Sequence, residues 1–186
     1  GSHPERLYRI GTGEFTDSLL LDPWTGLSAF LVPRFARYPN AVLELKTKTN
    51  HVDHLASLDH GGHTIVAWSL NAETLRRSEE SRTATIGERL AAARRCLDRG
   101  YWLAFHFDPL IDHPGWRDGY REVLDRLFDR IDPRRIVWIS LGALRFMPEL
   151  KVALRRQHPR SKIMSGEFIR GHLRIKAQML SLRHNK

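Results

Sequence analysis

The chain has 186 residues, 41% of them hydrophobic and 27% charged, which suits one hydrophobic core and leaves too little chain for two full domains. Thirty Lys and Arg residues against 21 Asp and Glu residues give a formal net charge of +9, which favours anionic partners, nucleic acid first among them. The single cysteine, Cys96, excludes an internal disulfide and any metal or iron–sulfur site built from three or four thiolates of this chain. No run of 18 apolar residues and no secretory signal pattern occurs, so we expect no membrane partner and a cytoplasmic location.

Five short runs rich in β-branched and aromatic residues predict buried strands, at residues 7–12, 41–47, 64–70, 101–107 and 135–141. Helical spacing of apolar residues is clearest at 86–97 and 120–131, and Gly100 is placed to end the first of these helices. Strands that alternate with amphipathic helices predict an α/β fold with a parallel sheet. An incomplete parallel (β/α) barrel and an open doubly wound sheet both fit, but no G-x-G-x-x-G or Walker loop supports a nucleotide-binding fold.

Polar residues follow each predicted strand. In chain order these strand-end residues are Gly13 and Glu14, Lys46 and Lys48, Ser69 and Asn71, His106 and Asp108, and Ser140. Because the carboxyl ends of parallel strands converge on one mouth of a barrel, we expect a site there. Each group also has a plainer explanation: a surface turn with a helix N-cap at Thr16-Asp17, solvated edge lysines, or a structural hydrogen bond between His106 and Asp108.

Two other features suggest chemistry more weakly. His51, His54, His60 and His63 have spacings that permit zinc, although no carboxylate stands at a catalytic spacing. Cys96 lies on the apolar face of a predicted helix, where we expect a buried, inert thiol. Most of the five tryptophans should lie in the core, because they are not interleaved with arginines.

The formal charge is concentrated at the end of the chain. Residues 151–186 contain ten basic residues and one acid, whereas the preceding 150 residues contain 20 of each. We therefore divide the chain into a barrel segment, 1–150, and a basic C-terminal segment, 151–186, with nucleic acid as its candidate partner. A solvated helix followed by a weakly ordered end is the plain alternative. The candidate nucleic-acid contacts are Arg155, Arg156, Arg160, Lys162, Arg170 and Arg174.

Taken together, the strand-end segments resemble the spore photoproduct lyase family of radical S-adenosylmethionine (SAM) enzymes and its lyase-like relatives. The resemblance covers about residues 6–170, with the segments in the family's order. They are Gly-Thr-Gly-Glu-Phe-Thr-Asp-Ser-Leu at 11–19, Lys-Thr-Lys at 46–48 with Val-Asp-His-Leu at 52–55, Ser-Leu-Asn at 69–71, Glu-Arg at 88–89, Gly-Tyr at 100–101, His-Phe-Asp-Pro at 106–109, Gly-Trp at 115–116 and Ile-Ser-Leu-Gly at 139–142.

This resemblance implies an incomplete (β/α) barrel of the radical SAM type, a 4Fe-4S cluster held by a CxxxCxxC loop, and SAM bound across the strand ends. Its chemistry is reductive cleavage of SAM to a 5′-deoxyadenosyl radical that starts the reversal of a thymine lesion in DNA. The implied SAM-binding residues are Gly13, Glu14, Lys48, Ser69 and Asn71. His106 and Asp108 are the implied catalytic residues, at the mouth near the substrate.

The chain departs from the family pattern in ways that bear on activity. The CxxxCxxC motif is missing, so the cluster ligands are not in this chain, which we expect to correspond to the part of such a protein after the cluster loop and to be inert alone. The lyase's hydrogen-donor cysteine falls near Glu14, where no thiol is present. Two alternatives stay open: a metal-dependent hydrolase using His106, Asp108 and the histidines from 51 to 63, and a non-catalytic nucleic-acid-binding domain.

Overall fold

A single parallel sheet of five strands forms the centre of the computed structural model, which describes residues 5–13, 16–144, 148–159, 161 and 163. The strands are β1 (Tyr8–Gly11), β2 (Ala41–Thr47), β3 (Thr64–Ser69), β4 (Trp102–Leu110) and β5 (Ile136–Ala143), in the spatial order β1-β2-β3-β4-β5. The guanidinium of Arg9 on β1 stacks over the Trp138 ring on β5, 4.8 Å from its centroid, although these strands are the two edges of the sheet. The sheet is therefore curled into a half-barrel, which confirms the predicted incomplete parallel barrel.

Six helices and two short 3₁₀ turns connect and flank the strands in the described ranges. The helices are α1 (Asp22–Thr25), α2 (Leu27–Phe35), α3 (Glu73–Glu79), α4 (Ile86–Asp98), α5 (Trp116–Phe128) and α6 (Pro148–Gln157), and the 3₁₀ turns are Asp53–Ser57 and Pro133–Arg135. A capping box starts α4: the Glu88 amide donates to Thr85 Oγ1 at 3.2 Å, and the Thr85 amide donates to Glu88 Oε2 at 2.7 Å. Just beyond its last turn, Gly100 has φ +87°, a left-handed conformation that favours glycine.

The two faces of the sheet differ because side chains alternate along each strand. On β3, Val66 and Trp68 point outward into the main core against the helices, and both are fully buried. Ile65 and Ala67 point to the inner face, where they form a small second core with Ala104. The main core therefore fixes the helices outside the half-barrel, whereas the inner face combines this small apolar core with polar side chains such as Glu44 and His106.

The tryptophans do not follow the prediction that most are core residues. Trp68 is fully buried, but Trp24 is 77% exposed on α1, and Trp102 and Trp116 are also exposed. Trp102 begins β4, where the Arg135 guanidinium lies 5.0 Å from its ring centroid and shields one face. Trp102 begins a strand and Trp116 begins a helix, and these positions put the indole rings at the surface. The residue type alone does not predict this exposure.

The prediction for Cys96 is confirmed. Its side chain is 2% exposed, and burial raises the pKa of the thiol to about 12, so the thiolate is absent at neutral pH. Among the residues that the structure describes, no helix has the length and apolar character needed to cross a bilayer.

Candidate functional site

The loop after β1 is fastened along the carboxyl end of β2. The Ser18 amide donates to the Lys46 carbonyl at 2.9 Å, and the Lys46 amide donates to Ser18 Oγ at 3.0 Å. Gly13 lies so close to this strand that an added Cβ would be 2.7 Å from Lys46 Cβ and 2.9 Å from its carbonyl oxygen. Only glycine allows this approach, which fixes one implied SAM-binding residue against β2; Glu14 lies outside the described residues.

Asp17 has a different role from the helix N-cap considered in the sequence. Its Oδ1 accepts hydrogen bonds from the Leu19 and Leu20 amides at 2.9 Å and from Thr47 Oγ1 at 2.6 Å. Its Oδ2 accepts from the Lys48 amide at 2.7 Å. Asp17 therefore ties the loop to the last residues of β2 and fixes the backbone from which the Lys48 side chain extends.

Glu80, which the sequence did not single out, joins three strand-end or helix residues. Its Oε1 accepts from Lys48 Nζ at 2.7 Å and from Asn71 Nδ2 at 2.8 Å. Its Oε2 accepts from Arg89 Nη2 at 2.6 Å and lies 3.5 Å from Thr83 Oγ1. We call these five residues the Glu80 network.

Arg89 anchors the Glu80 network to the fold. Its side chain is fully buried and also donates to the carbonyls of Ser69, at 2.8 Å, and Ala84, at 2.9 Å. Burial alone would raise the pKa of Glu80, but the charges of Lys48 and Arg89, with their hydrogen bonds, lower it to about 2. The carboxylate is therefore ionised at neutral pH, and with two cations around it the network has a net charge of +1.

Asn71 is held from its other side by Tyr120 on α5. The Tyr120 hydroxyl donates to Asn71 Oδ1 at 2.9 Å and accepts from the Ile111 amide at 3.0 Å. Burial raises the pKa of Tyr120, so the phenol stays protonated and can donate. The amide of Asn71 thus has a fixed orientation, with its nitrogen toward Glu80.

A second polar set crosses the inner face of the half-barrel. His106 Nε2 lies 2.7 Å from Glu44 Oε1, and His106 Nδ1 lies 2.7 Å from Ser140 Oγ. The Ser140 hydroxyl in turn donates to Asp108 Oδ2, which is 3.6 Å from His106 Nδ1. We call these four residues the His106 network, in which each ring nitrogen of His106 lies beside a side-chain oxygen.

The strand register explains how His106 reaches Glu44 on a strand that is not its neighbour. Ser69 on β3 is paired with His106 on β4, and Ile65 is paired with Glu44 on β2. Ala67 lies between these two pairs, so its small side chain leaves room for the imidazole to cross β3 on the inner face. A carboxylate inside the buried run Leu43-Glu44-Leu45 was the one sequence signal for this network that the strand-end argument overlooked.

The structure brings most of the predicted strand-end residues together at the carboxyl ends of the strands. Lys48 and Asn71 meet through Glu80, and Ser69 is connected to them through its carbonyl and Arg89. His106 is paired with Ser69 across the sheet, and Asp108 joins it through Ser140. Glu80 gave no comparable signal, because it lies in a polar stretch after α3 and not at a strand end.

The histidines of the metal-hydrolase alternative do not form one site. His54 Nε2 is 2.6 Å from Asp22 Oδ2, His60 stacks on Tyr101, and His63 Nδ1 is 3.0 Å from the Ala41 carbonyl. Within the described part of the chain, no three His, Cys, Asp or Glu side chains are grouped to hold a metal ion. The spacing in sequence therefore did not produce a shared cavity.

The basic C-terminal segment is described only at its start. Arg155 and Arg156 are exposed in the last turn of α6, a helix that contains residues on both sides of position 150. The other candidate nucleic-acid contacts, Arg160, Lys162, Arg170 and Arg174, lie outside the described residues.

Comparisons with known proteins agree with this fold and this order of strand ends. The spore photoproduct lyase family model matches residues 7–173. Spore photoproduct lyase of Bacillus subtilis is 29% identical over 154 residues, 82% of this chain and 45% of that protein, and the Geobacillus sp. enzyme is 30% identical over 123 residues, 65% of this chain and 36% of that protein.

Solved structures give the same result. A double mutant of spore photoproduct lyase with bound AdoMet and dinucleoside spore photoproduct superimposes with a TM-score of 0.80 at 27% identity, covering 84% of this chain and 47% of that one. A single mutant with the dinucleoside spore photoproduct gives the same TM-score. The chain thus spans about half the length of the relatives it matches. Since the family model covers nearly all of the sequence and the half-barrel superimposes on these structures, the chain belongs to the spore photoproduct lyase family.

Proposed function

We propose that this chain supplies the SAM-binding strand ends of a radical SAM enzyme of the spore photoproduct lyase type. The observation that carries the proposal is the convergence of Lys48, Ser69 and Asn71 at one edge of the half-barrel, linked through Glu80 and Arg89. These are the residues that the family resemblance assigns to SAM, together with Gly13 and Glu14.

The side chains present fit SAM. The Lys48 side chain is 36% exposed, so its ammonium can reach a ligand carboxylate while it is bonded to Glu80. The Ser69 hydroxyl makes no hydrogen bond to any residue that the structure describes, so it is available to a ribose or amino-acid group of the ligand. When bound, SAM supplies the radical chemistry that follows its one-electron reduction; the residues here bind and orient it.

A 4Fe-4S cluster does not fit the residues of this chain. Its one cysteine, Cys96, is buried in the core on α4, and burial raises the pKa of its thiol to about 12. A cluster of this kind needs several thiolate ligands, so the reductive step belongs to a part of the enzyme other than these 186 residues.

The substrate side of the proposal rests on the solved relatives, which are bound to dinucleoside spore photoproduct. His106 is paired with Ser69 at the end of β3, and its side chain joins Glu44 and Ser140 on the inner face, so we assign His106 and Asp108 to the substrate side of the site. DNA is the partner that we assign to Arg155, Arg156 and the basic residues after them, in a cytoplasmic protein. The affinity of the chain for a thymine-rich DNA duplex should fall steeply with added salt, and it should weaken when Arg155 and Arg156 are both changed to Gln.

Titration of the ¹⁵N-labelled chain with SAM tests the proposal. We expect amide shifts at the ends of β2 and β3, and Lys48→Gln should weaken binding about tenfold because a charge-assisted contact is lost. Lys151→Gln, on α6, is the matched control and should bind SAM as the wild type does. A wild-type chain whose β2 and β3 amides do not respond to millimolar SAM would rule the proposal out.

A further inference from the structure

Both carboxylate oxygens of Glu80 already accept hydrogen bonds from cationic or amide groups of the protein. Oε1 is shared by Lys48 and Asn71, and Oε2 is shared by Arg89 and Thr83. The carboxylate is almost fully buried, with a 9% exposed side chain. Glu80 therefore has little capacity to bind a ligand itself, and its contacts point to an action on its neighbours.

The neighbour that can transmit this action is Lys48. An ammonium has three donors, and the structure directs one of them to Glu80 at 2.7 Å while the side chain remains partly exposed. Without Glu80, a four-carbon side chain at a strand end would sample many rotamers, and ordering it on ligand binding would cost free energy. Asn71, fixed by Tyr120, and the fully buried Arg89 hold the Glu80 carboxylate in place.

The charges show which ligand such a lysine accepts. Lys48 and Arg89 together exceed Glu80 by one positive charge, and the Arg89 guanidinium is fully buried. The exposed part of that excess is the Lys48 ammonium, which can take one anionic group. A carboxylate at the amino-acid end of the ligand matches it in charge and in donor geometry.

We propose that Glu80 is a positioning residue that pre-orders Lys48 for the carboxylate of SAM, so that the site distinguishes SAM from adenosyl compounds lacking the amino-acid end. This inference rests on the proposed function. Glu80 acts only through Lys48 and makes no contact with the ligand.

The test uses Glu80→Asp, which keeps the negative charge beside Arg89 but shortens its reach toward Lys48 by one methylene. Binding of SAM and of 5′-methylthioadenosine, which lacks the amino-acid end, is measured by NMR titration of the wild type, Glu80→Asp, Lys48→Gln and the double variant. Glu122→Asp, an exposed position on α5, is the matched control. Urea unfolding of each variant confirms that it is folded.

We expect Glu80→Asp to weaken SAM binding about fivefold, the size of a misplaced charge-assisted hydrogen bond, and to leave methylthioadenosine binding unchanged. On the Lys48→Gln background, Glu80→Asp should cause no further loss of SAM binding, because the residue through which Glu80 acts is gone.

Three outcomes would each overturn the inference: equal weakening of SAM and methylthioadenosine binding, additive losses in the double variant, or SAM binding by Glu80→Asp equal to that of the wild type. If Glu80→Asp does not fold, Glu80→Gln, which keeps the reach of the side chain but removes the charge that holds the Lys48 ammonium, should give the same ligand discrimination. A wild-type chain that binds no SAM would instead contradict the proposed function, so the two failures are distinguishable.

Discussion

The Glu80 network and the His106 network occupy neighbouring parts of the same half-barrel but have opposite charge arrangements. In the Glu80 network, one carboxylate is surrounded by two cations, and its strongest anchor, Arg89, is fully buried. In the His106 network, one imidazole lies between the carboxylates of Glu44 and Asp108, and Asp108 is about one-third exposed. The strand ends thus carry an excess of positive charge at the Glu80 network, whereas the His106 network brings two carboxylates to the inner face.

This difference has a consequence for stability as well as for binding. A buried charge that loses its partner costs far more than an exposed one, because water cannot replace the lost interaction. The Glu80 network should therefore contribute more to the fold than the His106 network, whose outer end is open to solvent.

The largest expected effect is the loss of Arg89. Arg89→Met leaves the Glu80 carboxylate with one cation and leaves the Ser69 and Ala84 carbonyls without their donor, so we expect the free energy of unfolding to fall by about 3–5 kcal/mol. Urea unfolding at pH 7 measures the change. Arg94→Met, on the same helix but in an exposed pair with Asp98, is the control and should change stability by less than about 1 kcal/mol. A loss for Arg89→Met no larger than that of the control would contradict the comparison.

The pH dependence of stability should show the contribution of Glu80. The pKa of Glu80 is about 2 in the fold against an ordinary value of 4.5, so its ionised form stabilises the protein above pH 4.5, and this contribution is lost as the pH falls from 4.5 toward 2. The full contribution is about 3 kcal/mol. The stability difference between the wild type and Glu80→Gln, measured by urea unfolding at several pH values, should therefore shrink over that interval. A difference that is the same at pH 7 and pH 2.5 would show that the ion pairs do not act on this carboxylate.

The smallest of the three effects is expected for His106→Leu. Glu44 then loses its closest partner but keeps Arg9, whose Nε lies 3.6 Å from Glu44 Oε2, so we expect a loss of about 2 kcal/mol in the free energy of unfolding. His51→Gln, at an exposed histidine, should change stability by less than about 0.5 kcal/mol. If His106→Leu proves more destabilising than Arg89→Met, the order of the two networks is reversed.

The fold was largely predictable because short runs of β-branched and aromatic residues leave a strong local signal, although the prediction of a buried strand was wrong for β1, whose four residues are all exposed. All five strands were predicted, and the helix that begins at Ile86 was bounded correctly by its apolar spacing and by Gly100. The ends of β4 and β5 were placed too early, since Leu110 pairs with Ala143 only after a register shift that no local pattern records.

The candidate site was predictable only in part. The strand-end rule selected five residues that lie at or near the carboxyl ends of β2, β3 and β4: Lys48, Ser69, Asn71, His106 and Asp108. Their roles are proposals. The rule missed Glu80 and Glu44, which lie after a helix and in mid-strand, where position along the chain indicates no shared site.

The sequence by itself determined the alternation of strands and helices, the excess of positive charge and the lack of cysteines for a metal cluster, because these depend on composition and local periodicity. Only the tertiary structure decided which carboxylate each cation pairs with. Glu80 meets Lys48 across 32 residues, and Glu44 meets His106 across 62, because the curl of the sheet and the small side chain of Ala67 bring them together. Contacts over such separations depend on the packing of the whole sheet, and no short segment of the sequence encodes them.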